Sequence, residues 1–249
     1  MSKIESMLSL KDIGISTCVI CGKPLLGSYR MDKWGQKVCM DHDLTYCANC
    51  GRIVKDDDMR SSDGRAVCSH CVGKVVRRSE HVEWVYQRVC EIFERNFLVL
   101  PEKVPVEIVN AERMRQLVDC NRLGALPMGL ASMGGIPLFG MPVHHKVYML
   151  DCQHKVNFGG VLAHELLHVW QNQRRVRQLP PKYCEGFCNL GSYLFYGYLN
   201  NELSQRLMEG MMNSPDPIYG EGFREVKVIF ETEGEHNLEK TMDILVKKR

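Results

Sequence analysis

The chain has 249 residues, 45% of them hydrophobic, with 32 Lys and Arg against 30 Asp and Glu for a formal net charge of +2. That balance excludes a collagenous or wholly disordered chain, and it argues against nucleic-acid or membrane binding through a long-range basic field. The length suffices for one or two domains with a real interior.

Residues 1–15 mix Lys3, Glu5, Lys11 and Asp12 among a few leucines. They lack the basic start, apolar middle and small-residue cleavage site of a signal peptide. No stretch nears the roughly 20 apolar residues that span a bilayer. A cytoplasmic, reducing setting is therefore expected, where cysteines serve first as metal ligands. Of 12 cysteines, seven fall between Cys18 and Cys71. That segment has few long apolar runs, so a module over residues 16–73 needs metal or cross-links to fold.

Its ligands read Cys18-x2-Cys21, Cys39-x2-His42, Cys47-x2-Cys50 and Cys68-x2-Cys71. Each ligand of the second half lies 29 residues after its counterpart in the first, as Cys47 after Cys18 and Cys71 after His42, and Gly22/Gly51 and Val38/Val67 keep the same offset. Cys-x2-Cys-Gly is a knuckle that turns two thiolates toward one ion while the glycine accepts an unusual backbone angle. A duplicated unit brings its whole site with it. Cys18, Cys21, Cys39 and His42 are therefore expected around one structural zinc, and Cys47, Cys50, Cys68 and Cys71 around another, rather than interleaved as in a RING. Four protein ligands leave no position for substrate, so this module holds shape and a partner. It resembles a LIM domain, although Cys39 precedes His42 where LIM domains place histidine first. Asp56-Asp57-Asp58 and the lack of a basic stripe with interleaved aromatics oppose a nucleic-acid role.

Val82, Val85, Tyr86, Val89, Ile92, Phe93 and Phe97 recur at helical steps, which predicts an amphipathic helix within residues 74–98, leading into a larger domain over 74–249. A strand at Val104–Val109 and a helix around Ala111–Asp119 follow. Gly124–Pro142 has no clear period and reads as a mobile loop, with Met128–Met141 a candidate lid. Lys146–Leu150 alternates as a strand, the expected edge along which an extended substrate pairs. From Asn157 to about Met212 the pattern is helical, split in two at Leu179-Pro180-Pro181. The tail, Glu231–Arg249, reads as a turn and a short helix. The whole is α+β.

His164-Glu165-Leu166-Leu167-His168 carries the chemistry. Two histidines four apart project from one helix face and can take adjacent corners of a zinc tetrahedron. Glu165, about 100° around the helix, can act as general base on a water without displacing it. Chance yields only about 0.02 such triplets at this His and Glu content. The bland alternative is a pair of hydrogen-bonded core histidines. A third ligand is needed, and Glu185, in the first turn after the double proline, is the candidate, with Cys184 and Cys188 as rivals. Asn189, one turn on, can accept a hydrogen bond from a zinc histidine. Glu185 could instead be a helix-start carboxylate offsetting the dipole.

Ala163-His-Glu-Leu-Leu-His-Val-Trp170, Glu185-Gly-Phe-Cys188 and Tyr219-Gly-Glu-Gly-Phe-Arg224, behind a LIM-like module, resemble the LIM-containing zinc peptidases first associated with organ size in plants. The resemblance covers roughly residues 16–230. It implies a gluzincin-like zinc endopeptidase with a zincin-like domain, one catalytic zinc on His164, His168 and Glu185, and Glu165 as base. It also places Tyr219 near the site as an oxyanion donor, while Arg224 could bind a substrate carboxylate or brace the fold. His236 is a further possibility, and His144, His145 and His154 read as surface or strand residues. Plant members carry ubiquitin-interacting helices ahead of the LIM domain. Only about fifteen residues precede Cys18, so the ubiquitin link is not carried over. Protein or peptide substrates are the expected partners; the rival reading is a LIM adaptor whose peptidase-like domain is inactive.

Overall fold

The repeat in the cysteines is also a repeat of the backbone. The computed structural model describes residues 15–118, 126–134, 144–176 and 179–248, and it divides into two units, up to Gly73 and from Lys74 onward. In the first unit, β1 (Tyr29–Met31) pairs with β2 (Lys37–Cys39), and β3 (Met59–Arg60) with β4 (Ala66–Val67). The partnerships Arg30↔Val38 and Met59↔Val67 are the same pair in the two halves. The knuckles match too. Cys18 N–H donates to Lys23 O at 2.9 Å and Cys47 N–H to Arg52 O at 2.8 Å. Gly22 and Gly51 close these turns at φ 73° and 72°, a conformation that favours glycine. The halves differ at the last ligand, where Cys71 sits in a short helix, α1 (Ser69–Val72).

The two halves are tied together by Asp32. Its carboxylate accepts from the N–H groups of Trp34 and Gln36 within its own turn, and from Ile53 N–H of the other half at 3.0 Å. Trp34 adds an indole N–H donated to Cys50 O at 2.7 Å, under the Arg52 guanidinium 3.6 Å from the ring. A buried carboxylate with three amide donors is a satisfied anion, which makes this joint stabilising rather than costly.

The second unit starts with α2 (Ser79–Arg95), whose Val85, Tyr86, Val89, Ile92 and Phe93 are buried. Phe97, expected on that face, lies past the helix end at φ 59° and is exposed. Next come β5 (Val106–Val109) and α3 (Ala111–Leu117), the latter capped by Asn110. Two strands complete a sheet: β6 (Gly129–Gly134) and β7 (His144–Leu150), in the order β5-β7-β6, with β5 parallel and β6 antiparallel to β7. Two expectations are corrected here. Part of the presumed mobile loop and lid is strand β6, held by ladder bonds to β7 rather than by an apolar alternation of its own. The edge strand is β6, not β7, which lies in the middle. Residues 119–125 and 135–143 fall outside the described ones.

The helical region divides into three helices rather than two: α4 (Lys155–Gln173), α5 (Pro181–Leu199) and α6 (Glu202–Met212). The break missed by the apolar pattern is Asn200, left-handed at φ 43°, followed by Asn201 in a capping box with Ser204. Pro181 starts α5 at the position where a missing N–H costs nothing. A π-helical turn (Pro217–Glu221) then leads into α7 (Gly222–Glu231), and α8 (Leu238–Lys247) ends the chain.

Helices α4 and α5 pack closely because small residues meet large ones. A Cβ on Gly159 would lie 2.0 Å from the Phe195 ring, and one on Gly160 2.2 Å from that of Tyr196. Ser192 hydroxyl donates to Gly160 O at 2.8 Å, and Trp170 stacks on Phe187 at 5.9 Å. Helix α7 approaches α5 through Gly186 and Gly222, where an added Cβ would meet backbone oxygens at 2.5 and 2.3 Å. These contacts fix the face of α5 that looks at α4. Among the described residues, no helix is long and apolar enough to cross a membrane.

Candidate metal centre

Leu162, Ala163, Leu166, Leu167, Val169 and Trp170 bury α4 in the core. The polar residues between them must then share one stripe, at the border of a cavity of about 430 Å³. His164, Glu165, His168, Glu185 and Tyr219 line it, together with Gly129, Leu130 and Ala131 of β6.

Three donor atoms converge there. His164 Nε2 and His168 Nε2 are 3.0 Å apart, and Glu185 Oε2 is 3.2 Å from the first and 3.4 Å from the second. A tetrahedral zinc with bonds of roughly 2.0–2.1 Å separates its nitrogen and oxygen ligands by about 3.3 Å. The triangle fits a zinc-sized cation. Glu185 opens the second turn of α5 rather than lying in the first, and the proline start delivers it. Burial alone would raise its carboxyl pKa, but the two imidazoles outweigh that and hold it at about 2. Burial likewise disfavours charge on His168, yet Cys188, Cys184 and Glu185 together raise its pKa well above the usual imidazole range. The cluster is rich in electron pairs and wants a positive charge.

The neighbours set orientation. His164 Nδ1 is 3.0 Å from Asn189 Oδ1, and Asn189 Nδ2 donates to Tyr219 O at 2.8 Å. Asn189 thus accepts from the far side of the ring, leaving Nε2 free to ligate. Glu165 Oε2 accepts Ala131 N–H at 2.8 Å. That amide points away from β7, because Leu150 N–H bonds Met128 O and the alternation turns residues 129, 131 and 133 outward. The sulfur rivals are close too. Cys184 Sγ is 4.0 Å from His168 Nδ1 and 3.1 Å from Gln171 Oε1, and the buried Cys188 can share an ion with His164 and His168. Cys184 faces the rear nitrogen of His168, while Glu185 faces the Nε2 pair. The geometry favours the carboxylate.

Other candidates lie elsewhere. The Tyr219 side chain is 49% exposed at the cavity, and burial together with the Glu185 charge raises its phenol pKa. Arg224 donates to Met212 O and to Ser214 O at 3.1 and 2.7 Å, so it braces the turn before α7 rather than facing the cavity. His236 packs edge-on against Phe230 at 5.2 Å and does not line the cavity. His144 and His145 are strand residues of β7, as read, while His154 is buried and caps α4; His145 is buried too, its Nε2 3.0 Å from Asn172 Oδ1 on the cavity wall. Gly129 and Ala131 escaped sequence reading. A Cβ on Gly129 would lie 2.6 Å from Val161 and 2.8 Å from Glu165 Cγ, an approach with no signature along the chain.

In the first unit the eight expected ligands gather as two sets, each with its ligand atoms within 4.8 Å of one another, in the sequential grouping. Cys21 and Cys39 sulfurs are 3.9 Å apart, and those of Cys50 and Cys68 3.6 Å, against about 3.8 Å for thiolates on one tetrahedral zinc. Backbone N–H of Cys68 donates to Cys47 Sγ at 3.4 Å. Both sets suit zinc.

The chain is similar to plant LIM and DA1 proteins. It is 24% identical over 195 residues to Protein DA1-related 2 of Arabidopsis thaliana, covering 65% of this chain and 37% of that one. LIM domain-containing protein HDR3 of Oryza sativa subsp. japonica is 23% identical, over 65% of this chain and 39% of its own length. Protein DA1 of Arabidopsis thaliana is 21% identical over 252 residues, 77% of this chain and 47% of that protein. The chain therefore spans less than half the length of these DA1-type relatives. No family model matches the chain, and no solved structure matches it.

Proposed function

We propose that the chain is a zinc-dependent endopeptidase whose LIM-like module docks a protein partner or substrate. The observation that carries this reading is the triangle of His164 Nε2, His168 Nε2 and Glu185 Oε2, with sides of 3.0, 3.2 and 3.4 Å, bordering a cavity that Glu165 also lines. Three protein ligands and an adjoining cavity are what a catalytic zinc needs, whereas the knuckle sets are closed by four. The two Cys/His sets and the chain's similarity to a relative named for a LIM domain support zinc binding, and the proposal is one catalytic and two structural ions per chain.

Bound to the triangle, zinc supplies Lewis acidity and a water of lowered pKa. The chain does the rest. Ala131 N–H holds Glu165 Oε2, which leaves Oε1 to take the proton of the attacking water and pass it to the leaving amine. Asn189 keeps His164 in the tautomer that ligates through Nε2. The Tyr219 phenol, protonated at neutral pH like any tyrosine, lines the cavity and donates to the oxyanion. The outward backbone of β6 borders the cavity at residues 129 and 131, and its groups other than the Ala131 N–H held by Glu165 pair with an extended substrate.

Digestion of a proteome-derived peptide library tests the reading. The native chain cleaves, and Glu165→Gln, with its metal retained, loses about 10²–10⁴-fold in rate. Equal digestion by both rejects Glu165 as base, and no digestion by either favours a non-catalytic LIM adaptor.

A further inference from the structure

The sheet of the second unit has two edges, and the metal centre uses only that of β6. Along the other edge, β5 and the start of α2 border a groove of about 490 Å³. The ladder fixes which backbone groups face it. Val147 N–H donates to Pro105 O and Asp151 N–H to Val109 O, so residues 105, 107 and 109 turn toward β7. Val106 and Ile108 therefore turn their N–H and C=O groups outward, where they have no backbone partner among the described residues. Neither a bulge nor a proline interrupts Val106–Val109 and no charge points inward, so what guards this edge is its shortness, four residues, with Lys103 and Pro105 ahead of it.

The charge around it is mixed, with Glu80 in the first turn of α2 and Glu83 and Glu107 in the lining. Glu83 is held by Lys103 at 2.6 Å and Glu107 by Lys146 at 2.5 Å, so both carboxylates at the groove are neutralised. Arg78, which is exposed, adds positive charge at its mouth. Arg78 is also the N-cap of the 17-residue α2 and gives no side-chain bond to its first amides, so the positive end of the helix dipole faces the same place. From these features we infer that the β5 edge is a docking site for an extended acidic segment of a partner protein. The segment adds as a fourth strand through Val106 and Ile108, with carboxylate side chains directed at Arg78 and the α2 start. This surface is separate from the metal centre and stands whether or not the chain is a peptidase.

The test is fluorescence anisotropy of labelled acetyl-(Glu-Val)4-amide against the full zinc-loaded chain, with acetyl-(Lys-Val)4-amide as the opposite-charge probe. The acidic probe is expected to bind and the basic one not. Arg78→Glu and Ile108→Pro should each weaken binding at least about tenfold. Proline at residue 108 removes an outward N–H and no ladder bond but also trims a side chain packed on the core, so its fold is checked by melting temperature. Should Ile108→Pro fail to fold, the exposed Arg78→Glu and slowed hydrogen exchange at the Val106 and Ile108 amides on probe binding decide. Absent binding, equal binding of both probes, native-like affinity in a folded Ile108→Pro or in Arg78→Glu, or unslowed exchange at those amides overturns the inference.

Discussion

The knuckle unit and the α4–α5 centre gather metal ligands in opposite ways. In the knuckles, ligands come in pairs two residues apart, and two sets of four donors fall within about 55 residues of chain that have little other core. In the larger unit, the core is built first, from Trp170, Phe187, Phe195 and their neighbours, and the donors are a polar stripe left at its border. The lesson concerns where free energy comes from. Under the proposed zinc assignment, metal would hold the first unit together, whereas packing in the second holds its candidate ligands in place.

That contrast is broken most forcefully by chelation. Structural zinc contributes about 10–16 kcal/mol to the folding of small modules. Stripping all metal should therefore unfold residues 16–73 while α2, α4 and α5 keep their amide protection, as read by hydrogen exchange. Simultaneous loss of protection in both units, or its retention in the knuckles, would break the comparison. A smaller effect sharpens it. Asn189→Ala removes the acceptor behind His164 and should weaken metal at the α4–α5 centre about 10–100-fold, leaving the knuckle ions untouched, as followed by competition with a chromogenic chelator. The smallest effect falls on Arg224→Ala. Losing two bonds to carbonyls should lower stability by about 1–3 kcal/mol in urea titration and leave KM unchanged. A rise in KM with stability intact would return Arg224 to substrate binding.

How much could be read beforehand follows from the same contrast. Knuckle ligands and their grouping are local, so spacing and the 29-residue offset display them directly. His164, Glu165 and His168 are local too, one turn of one helix. Glu185 and Asn189 could be placed because a double proline sets the start of α5. What stayed hidden depends on partners remote in the chain. Strand β6 has no alternation of its own and exists through β7, so Gly129 and Ala131 gave no signal. The break at Asn200 rests on a left-handed residue and a side-chain cap, which an apolar period does not register. The burial of His145 within β7 gave no signal because its polar partner, Asn172, comes from α4.

The central claim is that α4 and α5 jointly hold an ion apart from those of the knuckles. Native mass spectrometry of the zinc-loaded chain beside Glu185→Ala tests it most directly. The account predicts three zinc ions in the native chain and two in the folded variant. Two in both would contradict it.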